Sequence, residues 1–432
     1  MYNMKYIFLS SFLFMSSCAF AQNVVTVSDD DKTEDIDLPE GMLVSDDELM
    51  EDYVNKENLH VIANPSIKDL SYDDSILVSR LLRIPTTIEM PLNNVTRKFI
   101  EQYSNKRKRS VAIMLGSANF YMPIFEEALE RYGLPLELKY LPVIESGLRP
   151  SATSRVGAAG LWQFMIHTGK RYGLEINTLV DERRDPVKSS DAAARYLRDL
   201  HDMFGDWGLA ISAYNCGEGN VQKAILRSGN TEHADFWTIY DRLPRETRGY
   251  MPAFIAANYI MNYYCDHGIN PYEASLPVES DTVVVKAELK FSQIASVCNI
   301  SVEELRALNP QYRRDIIPMG YALRLPSAAV EQYVTHEVEI ATATPTDGSI
   351  RRPVVEDPED WRQATARNNK KGTKNKYVAS LSGSQKYHTV RKNEVLGTIA
   401  RKYKTTVGAL QRLNGMSRKN TNIKEGQSLR VK

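Results

Sequence analysis

The chain has 432 residues, room for about three domains of ordinary size. Its 43% hydrophobic and 25% charged residues match soluble globular proteins and disfavour collagen-like, wholly disordered and polytopic membrane classes. Lys+Arg and Asp+Glu are 54 each, yet the charge is segregated: Ser28 to Asp52 holds twelve acidic residues against one Lys, and Arg362 to Lys432 holds eighteen basic against two acidic.

The first residues read as an export signal, because Lys5 precedes the apolar run Tyr6 to Met15 and small residues follow at Ser16, Ser17, Ala19 and Ala21. That run is too short to span a bilayer, which needs roughly 20 apolar residues. Ala19-Phe20-Ala21 before Gln22 fits simple cleavage and sets the signal peptide at residues 1–21. Met15-Ser16-Ser17-Cys18 is an imperfect lipoprotein site, at which Cys18 would be lipidated. Either route puts the mature chain outside the cytoplasm, periplasmic or envelope-associated, with membrane attachment only if Cys18 carries lipid. Cys216, Cys265 and Cys298 remain, an odd set with no C-x-x-C spacing, so neither a zinc site nor a disulfide framework is expected. No metal or cofactor is expected.

Residues 22–93 form an acidic spacer and N-terminal extension, and the stretch Gln22 to about Asn58, poor in aromatics, is predicted to be mobile. Residues 94–270 read as all-helical. Phe99, Ile100 and Tyr103 lead to the basic run Lys106 to Arg109, and Ile124, Phe125, Ala128 and Leu129 recur at helical spacing until Gly133-Leu134-Pro135. Further helices are predicted over Leu161 to Arg171, Ser190 to Met203, Gly208 to Tyr214, Val221 to Arg227 and Tyr250 to Tyr264. Beyond Pro271 a β-branched run, Thr282 to Val285, opens a different texture. There Ile294-Ala295, Val302, Leu305, Leu308 and Asn309 recur as Ile399-Ala400, Val407, Leu410, Leu413 and Asn414 at a constant offset of 105. Two copies of one small module, residues 281–327 and 386–432, therefore flank a linker, residues 341–385, expected to be disordered. The second copy reads as strand, two short helices and closing strand.

Within Leu136 to Gly147, residues Leu138, Leu141 and Glu145 fall on one helical face, and a carboxyl beside leucines should have a raised pKa. Pro142 is expected to kink this helix. The plain structural alternative is a helix-end Glu paired with Arg149. Downstream lie Gly157-Ala158-Ala159-Gly160-Leu161-Trp162-Gln163-Phe164-Met165, Ala213-Tyr214-Asn215-Cys216-Gly217-Glu218-Gly219 and Arg248-Gly249-Tyr250. Gly157 and Gly160 suit a tight turn or close approach, Trp162 suits a core, and the amides of Gln163 and Asn215 suit hydroxyl and acetamido groups. Cys216 reads as packing, Asp185 as a helix-opening residue and Glu218 as a solvated loop residue.

With Glu145-Ser146 first and the other motifs in this order, the segment from about Val95 to Asn270 resembles the lytic transglycosylases of the soluble-lysozyme-like family, which share a fold with goose-type lysozyme. The membrane-bound D type, which appends LysM modules, is the best match. The resemblance implies a mainly α fold: a lysozyme-like helical catalytic domain followed by small βααβ LysM-type modules. It makes Glu145 the single catalytic acid and base, and puts Ser146, Gln163, Met165, Tyr214, Asn215 and Tyr250 against the sugar or the carboxylate. The implied reaction cleaves the bond between N-acetylmuramic acid and N-acetylglucosamine in peptidoglycan, closing a 1,6-anhydro ring without water, where other glycosidases generally use two carboxylates. The alternatives are a hydrolytic muramidase and a catalytically silent wall-binding scaffold. LysM modules imply a second contact with N-acetylglucosamine-containing glycan, although Lys392-Asn393-Glu394 stands where Gly-Asp-Thr is usual. The basic C-terminal region reads either as a solvated surface or as attraction to anionic envelope polymers. Nucleic acid is not an expected partner.

Overall fold

The computed structural model describes residues 23–29, 32–51, 73–229, 231–273, 276, 277, 279–343, 387–390, 396–403, 410, 411, 414, 416 and 427–430. The expected signal peptide, Cys18 and nearly all of the expected linker lie outside the described residues. The chain divides into two compact units, residues 1–355 and 356–432.

The acidic N-terminal segment is not the mobile spacer its composition predicts. β1 (Val24–Asp29) and β2 (Lys32–Asp37) pair antiparallel, with Val25 opposite Ile36, and α1 (Glu40–Leu43) and α2 (Asp46–Glu51) follow. Val25, Val27, Ile36 and Leu38 are all buried. Val25 and Val27 alternate with Thr26 and Ser28, and Ile36 and Leu38 with Asp35 and Asp37, so the hairpin turns its apolar set inward and its polar set outward. Average composition conceals that pattern. Met42 and Leu49 continue the burial through the two short helices.

The helical body begins with α3 (Asp74–Leu81) and α4 (Asn94–Glu101), whose first turns are capped by the side chains of Asp73 and Asn93. A π-turn at Gln102–Lys106 leads into α5 (Lys108–Arg131). A 3-10 turn, Leu136–Tyr140, feeds α6 (Leu141–Ser146). Pro142 stands in the first turn of α6, where its missing N–H has no helical partner to lose, so it starts a helix instead of kinking one. Next come α7 (Ile166–Arg171), α8 (Pro186–Phe204), α9 (Trp207–Cys216), α10 (Glu218–Ser228), α11 (Phe236–Ile239), α12 (Arg245–Arg248) and α13 (Tyr250–Tyr263). α7 starts five residues later than predicted. Every residue of α13 from Tyr250 to Met261 is buried, which makes it the central helix; it packs against α4, α6 and α9.

The first module is built from β3 (Ser280–Val284), β4 (Leu289–Lys290), α14 (Phe291–Cys298), α15 (Val302–Leu308), β5 (Ile316–Ile317) and β6 (Ala322–Pro326). β3 pairs antiparallel with β6, and β4 with β5. The βααβ reading stops too early, because α16 (Ser327–Thr335) and α17 (Glu337–Thr342) pack on α14. Tyr333 and Ile340 join the module's core, and Gln293 Nε2 donates to the carbonyls of Ile340 and Ala343 at 3.1 and 2.9 Å. The module also shares its core with the helical body. Val180, 1% exposed, packs among the module's apolar residues. Beside it the Asp181 N–H donates to the Gln311 carbonyl and the Arg313 N–H to the Leu179 carbonyl, both at 2.9 Å.

In the second unit β7 (Tyr387–Thr389) pairs antiparallel with β8 (Ser428–Arg430), and α18 (Leu396–Lys402) covers them with a core of Val390, Leu396, Ile399, Ala400, Leu410 and Leu429. Ile294 and Ile399, and Leu305 and Leu410, are fully buried at matching positions of the two modules, the physical content of the 105-residue repeat.

Ile36 tests the packed N-terminal segment. Ile36→Ala should cost about 2–4 kcal/mol by lost burial and a cavity, read as a fall in the denaturant midpoint of the first unit; a free spacer would register no change.

Candidate active site

α6 presents Glu145 from an otherwise packed helix: Leu141, Val143 and Ile144 are fully buried and Ser146 is 1% exposed, while Glu145 alone keeps partial access to solvent. Tyr250, the first residue of α13, donates its hydroxyl to Glu145 Oε1. Burial pushes the Glu145 pKa up from 4.5 to about 8; the Tyr250 hydrogen bond opposes the rise, and the charge of Glu40 adds to it. Near neutral pH the group is therefore largely a carboxylic acid, able to donate a proton. Burial and the neighbouring carboxylate also raise Tyr250 well above the ordinary phenol value, which keeps it a donor.

The Gly-rich motif is a loop, not the start of a helix. Ala159 pairs with both Thr153 and Phe164, and Gly160 lies so close to the backbone of Arg183 that a Cβ would collide with the Arg183 carbonyl. Gln163 takes a left-handed conformation, φ 48°, uncommon for a side-chain-bearing residue. Its Nε2 donates to the Gly160 carbonyl at 2.7 Å. Arg183 Nη1 braces the loop through the carbonyls of Gly157 and Phe164, at 2.8 and 3.0 Å. The buried carboxylate of Asp181 holds that guanidinium in turn, at 2.8 Å, and Arg183 and its neighbours keep the Asp181 pKa low against its burial.

Tyr214 of α9 donates its hydroxyl to the Trp162 carbonyl at 2.7 Å. Burial, then the charge of Glu145, raises its pKa. Trp162 is fully buried, with Nε1 donating to Ser190 Oγ at 2.8 Å; it is a core aromatic. Ser146 faces inward as well. Its hydroxyl reaches the carbonyls of Pro142 and Leu161 at 3.0 and 2.9 Å and ties α6 to the loop, so it offers nothing to a sugar in this arrangement. Met165 is half-buried at the start of α7. Asn215 is exposed at the end of α9, its Oδ1 accepting from Thr247 Oγ1 at 2.9 Å.

The alternatives raised by the sequence have separate roles. Arg149 acts on Glu48 and lowers its pKa together with the Ser45 hydrogen bonds. Asp185 caps α8 through the N–H groups of Val187 and Lys188, and Glu218 opens α10 at 3.9 Å from Arg171. Sequence reasoning missed Glu40, Asp181, Arg183 and Thr247. Arg183 reaches its acceptors across 19 and 26 residues, a separation no local spacing reveals.

Known proteins place this arrangement. The Transglycosylase SLT domain profile matches residues 122–237, the profile "Lytic transglycosylase MltD, LysM-like domain" matches residues 279–342, and the LysM domain profile matches residues 388–432. The chain carries a transglycosylase SLT domain and acts as a lytic transglycosylase. It is 28% identical over 363 residues to the membrane-bound lytic murein transglycosylase D of Escherichia coli, covering 79% of this chain and 70% of that relative. It is 24% identical over 215 residues to the membrane-bound lytic murein transglycosylase F of Shewanella sediminis, covering 44% and 42%. A crystal structure of an inactive mutant of the lytic transglycosylase Slt from Pseudomonas aeruginosa aligns with TM-score 0.29 and 18% identity, covering 46% of this chain and 38% of that one. In the transglycosylase the first module is thus the LysM-like kind found in the D type, and its match, like its core, extends through α17. Among the described residues no helix is long and apolar enough to cross a membrane.

The raised Glu145 pKa has a stability consequence. Between pH 4.5 and about 8 the folded protein keeps a proton that the unfolded chain gives up, so this group lowers native stability progressively as pH rises through that window. Glu145→Gln does not titrate. Its melting temperature should exceed that of the wild type above about pH 5, with the gap widening to about pH 8, as read by thermal unfolding across pH.

Proposed function

We propose that this transglycosylase cleaves the β-1,4 bond between N-acetylmuramic acid and N-acetylglucosamine in peptidoglycan with Glu145 as both acid and base. Protonated Glu145 donates to the bridging oxygen. The C1–O bond breaks with its electron pair leaving on that oxygen, and positive charge grows at the muramic C1. Glu145, now a carboxylate, takes the proton of the muramic 6-hydroxyl as O6 bonds to C1, giving the 1,6-anhydro product. The acid is restored and no water is consumed. Tyr250 orients the carboxyl and hydrogen-bonds it in its charged form. Gln163, Asn215 and Met165 are assigned to the sugar, the amides meeting hydroxyl and acetamido groups and the thioether packing on sugar carbons. Tyr214 and Ser146 hold the Gln163 loop and α6 in register.

The observation that carries this reading is one carboxyl, raised to about 8 by burial and bonded by Tyr250, in a chain of SLT type. Export through residues 1–21 brings the enzyme to its polymer, with simple cleavage after Ala21 or lipid on Cys18 deciding between free and anchored forms. The LysM domain holds N-acetylglucosamine-containing glycan.

Glu145→Gln should remain folded and lose turnover by about 10²–10⁴-fold, measured as sugars released from purified sacculi. With wild-type enzyme in oxygen-18 water, mass spectrometry should find unlabelled anhydro ends; labelled reducing ends would identify a hydrolytic muramidase instead.

Cutting the chain near Thr346 should leave cleavage of soluble glycan fragments unchanged and weaken retention on sacculi, because a tethered binding unit raises effective concentration at a polymer without adding catalytic contacts. Sedimentation with sacculi reads the loss.

A further inference from the structure

We propose that the N-terminal strap, residues 34–43, is part of the catalytic apparatus, seated on the backbone immediately before both members of the Glu145–Tyr250 pair. This rests on Glu145 being the catalytic acid. Gly41 of α1 lies against α6 so tightly that a Cβ would stand 2.6 Å from both the carbonyl carbon and oxygen of Ile144. At the other seat the Asp37 carbonyl of the strap lies against Gly249, where a Cβ would collide with that oxygen and meet Phe99 and Ile36 at 3.0 and 3.1 Å. Glycine at both positions is what allows the approach. The seats are one residue upstream of Glu145 and of Tyr250, so a displacement of the strap moves the two partners of one hydrogen bond. Ile36, Leu38 and Met42 anchor the strap in the core. Ion pairs clamp its flanks to α12, Glu34 with Arg248 and Asp37 with Arg245, the latter at 3.3 Å.

Between the seats stands Glu40, the first residue of α1. Tyr250 from α13 and Glu40 from α1 act on Glu145, and the charge of Glu145 acts in turn on Tyr214 from α9. Arg155 and Glu246 act on Glu40, whose own pKa is raised chiefly by burial. Glu40 adjoins Gly41, which packs on the backbone immediately before Glu145, and from that place its negative charge favours the neutral form of Glu145 and extends the acid's working range upward in pH.

Two substitutions and one reference test the strap, with kcat, KM and pH profile measured on soluble glycan fragments. Gly41→Ala should fold, as judged by circular dichroism, and lose about a hundredfold in kcat with KM little changed, the scale expected when a reacting group is misplaced by about 1 Å. Glu40→Gln, an isosteric change, should shift the alkaline limb of kcat to lower pH. A folded Gly41→Ala with wild-type kcat overturns the proposal. If Gly41→Ala does not fold, Glu40→Gln decides: a downward shift supports the strap and an unmoved alkaline limb overturns it. The reference is Glu145→Gln. Its activity would remove the functional reading itself, whereas an inactive Glu145→Gln beside an unaffected strap variant removes only the strap.

Discussion

A carboxyl group that must give up a proton near neutral pH has to be shielded from water and yet remain hydrogen-bonded. In the proposed reaction Glu145 meets both demands. Its helix is short and packed on every other face, and the Tyr250 hydroxyl supplies the bond that water would otherwise make. Desolvation dominates, and the pKa rises to about 8. The cost is a native state that carries a poorly solvated acid at its centre, a common feature of sites where function and stability compete.

The surrounding architecture follows from holding that group. α13 can place Tyr250 only because it is buried along nearly its whole length and cannot slide. Ser146 ties α6 to Leu161 and Tyr214 ties α9 to Trp162, so the loop between Gly157 and Phe164 is fixed by backbone carbonyls on both sides. Arg183 fixes it from a third direction. The Asp181 carboxylate holds Arg183, and the Asp181 backbone is bonded to Gln311 of the first module. A polar chain therefore runs from the LysM-like module to the loop that carries Gln163. That module belongs to the body of the enzyme.

The second LysM domain stands differently, as a separate compact unit with its own small core. Two modules of common pattern thus occupy two physical situations. One shares a core with the helical body through Val180, and the other forms its core from its own residues.

The sequence by itself determined the mainly helical body, the doubled module and a carboxyl at Glu145 shielded among leucines with a raised pKa. Each rests on local or periodic information: apolar spacing at 3.6, a repeat at offset 105, and motif residues in a fixed order. It determined less where the deciding contact is distant. The acidic stretch from Gln22 to about Asn58 looked unable to fold because composition averages over the period-two placement of Val25, Val27, Ile36 and Leu38. Ser146 looked like a sugar contact until the fold turned it toward Leu161. Pro142 looked like a kink until the chain placed it in a first turn. Glu40, Arg183 and Asp181 carry no local signal, since their partners lie across the fold. Tertiary structure alone decided these, because electrostatic fields, close backbone approach and loss of water depend on which residues meet in space, and a chain in extended form specifies none of those meetings.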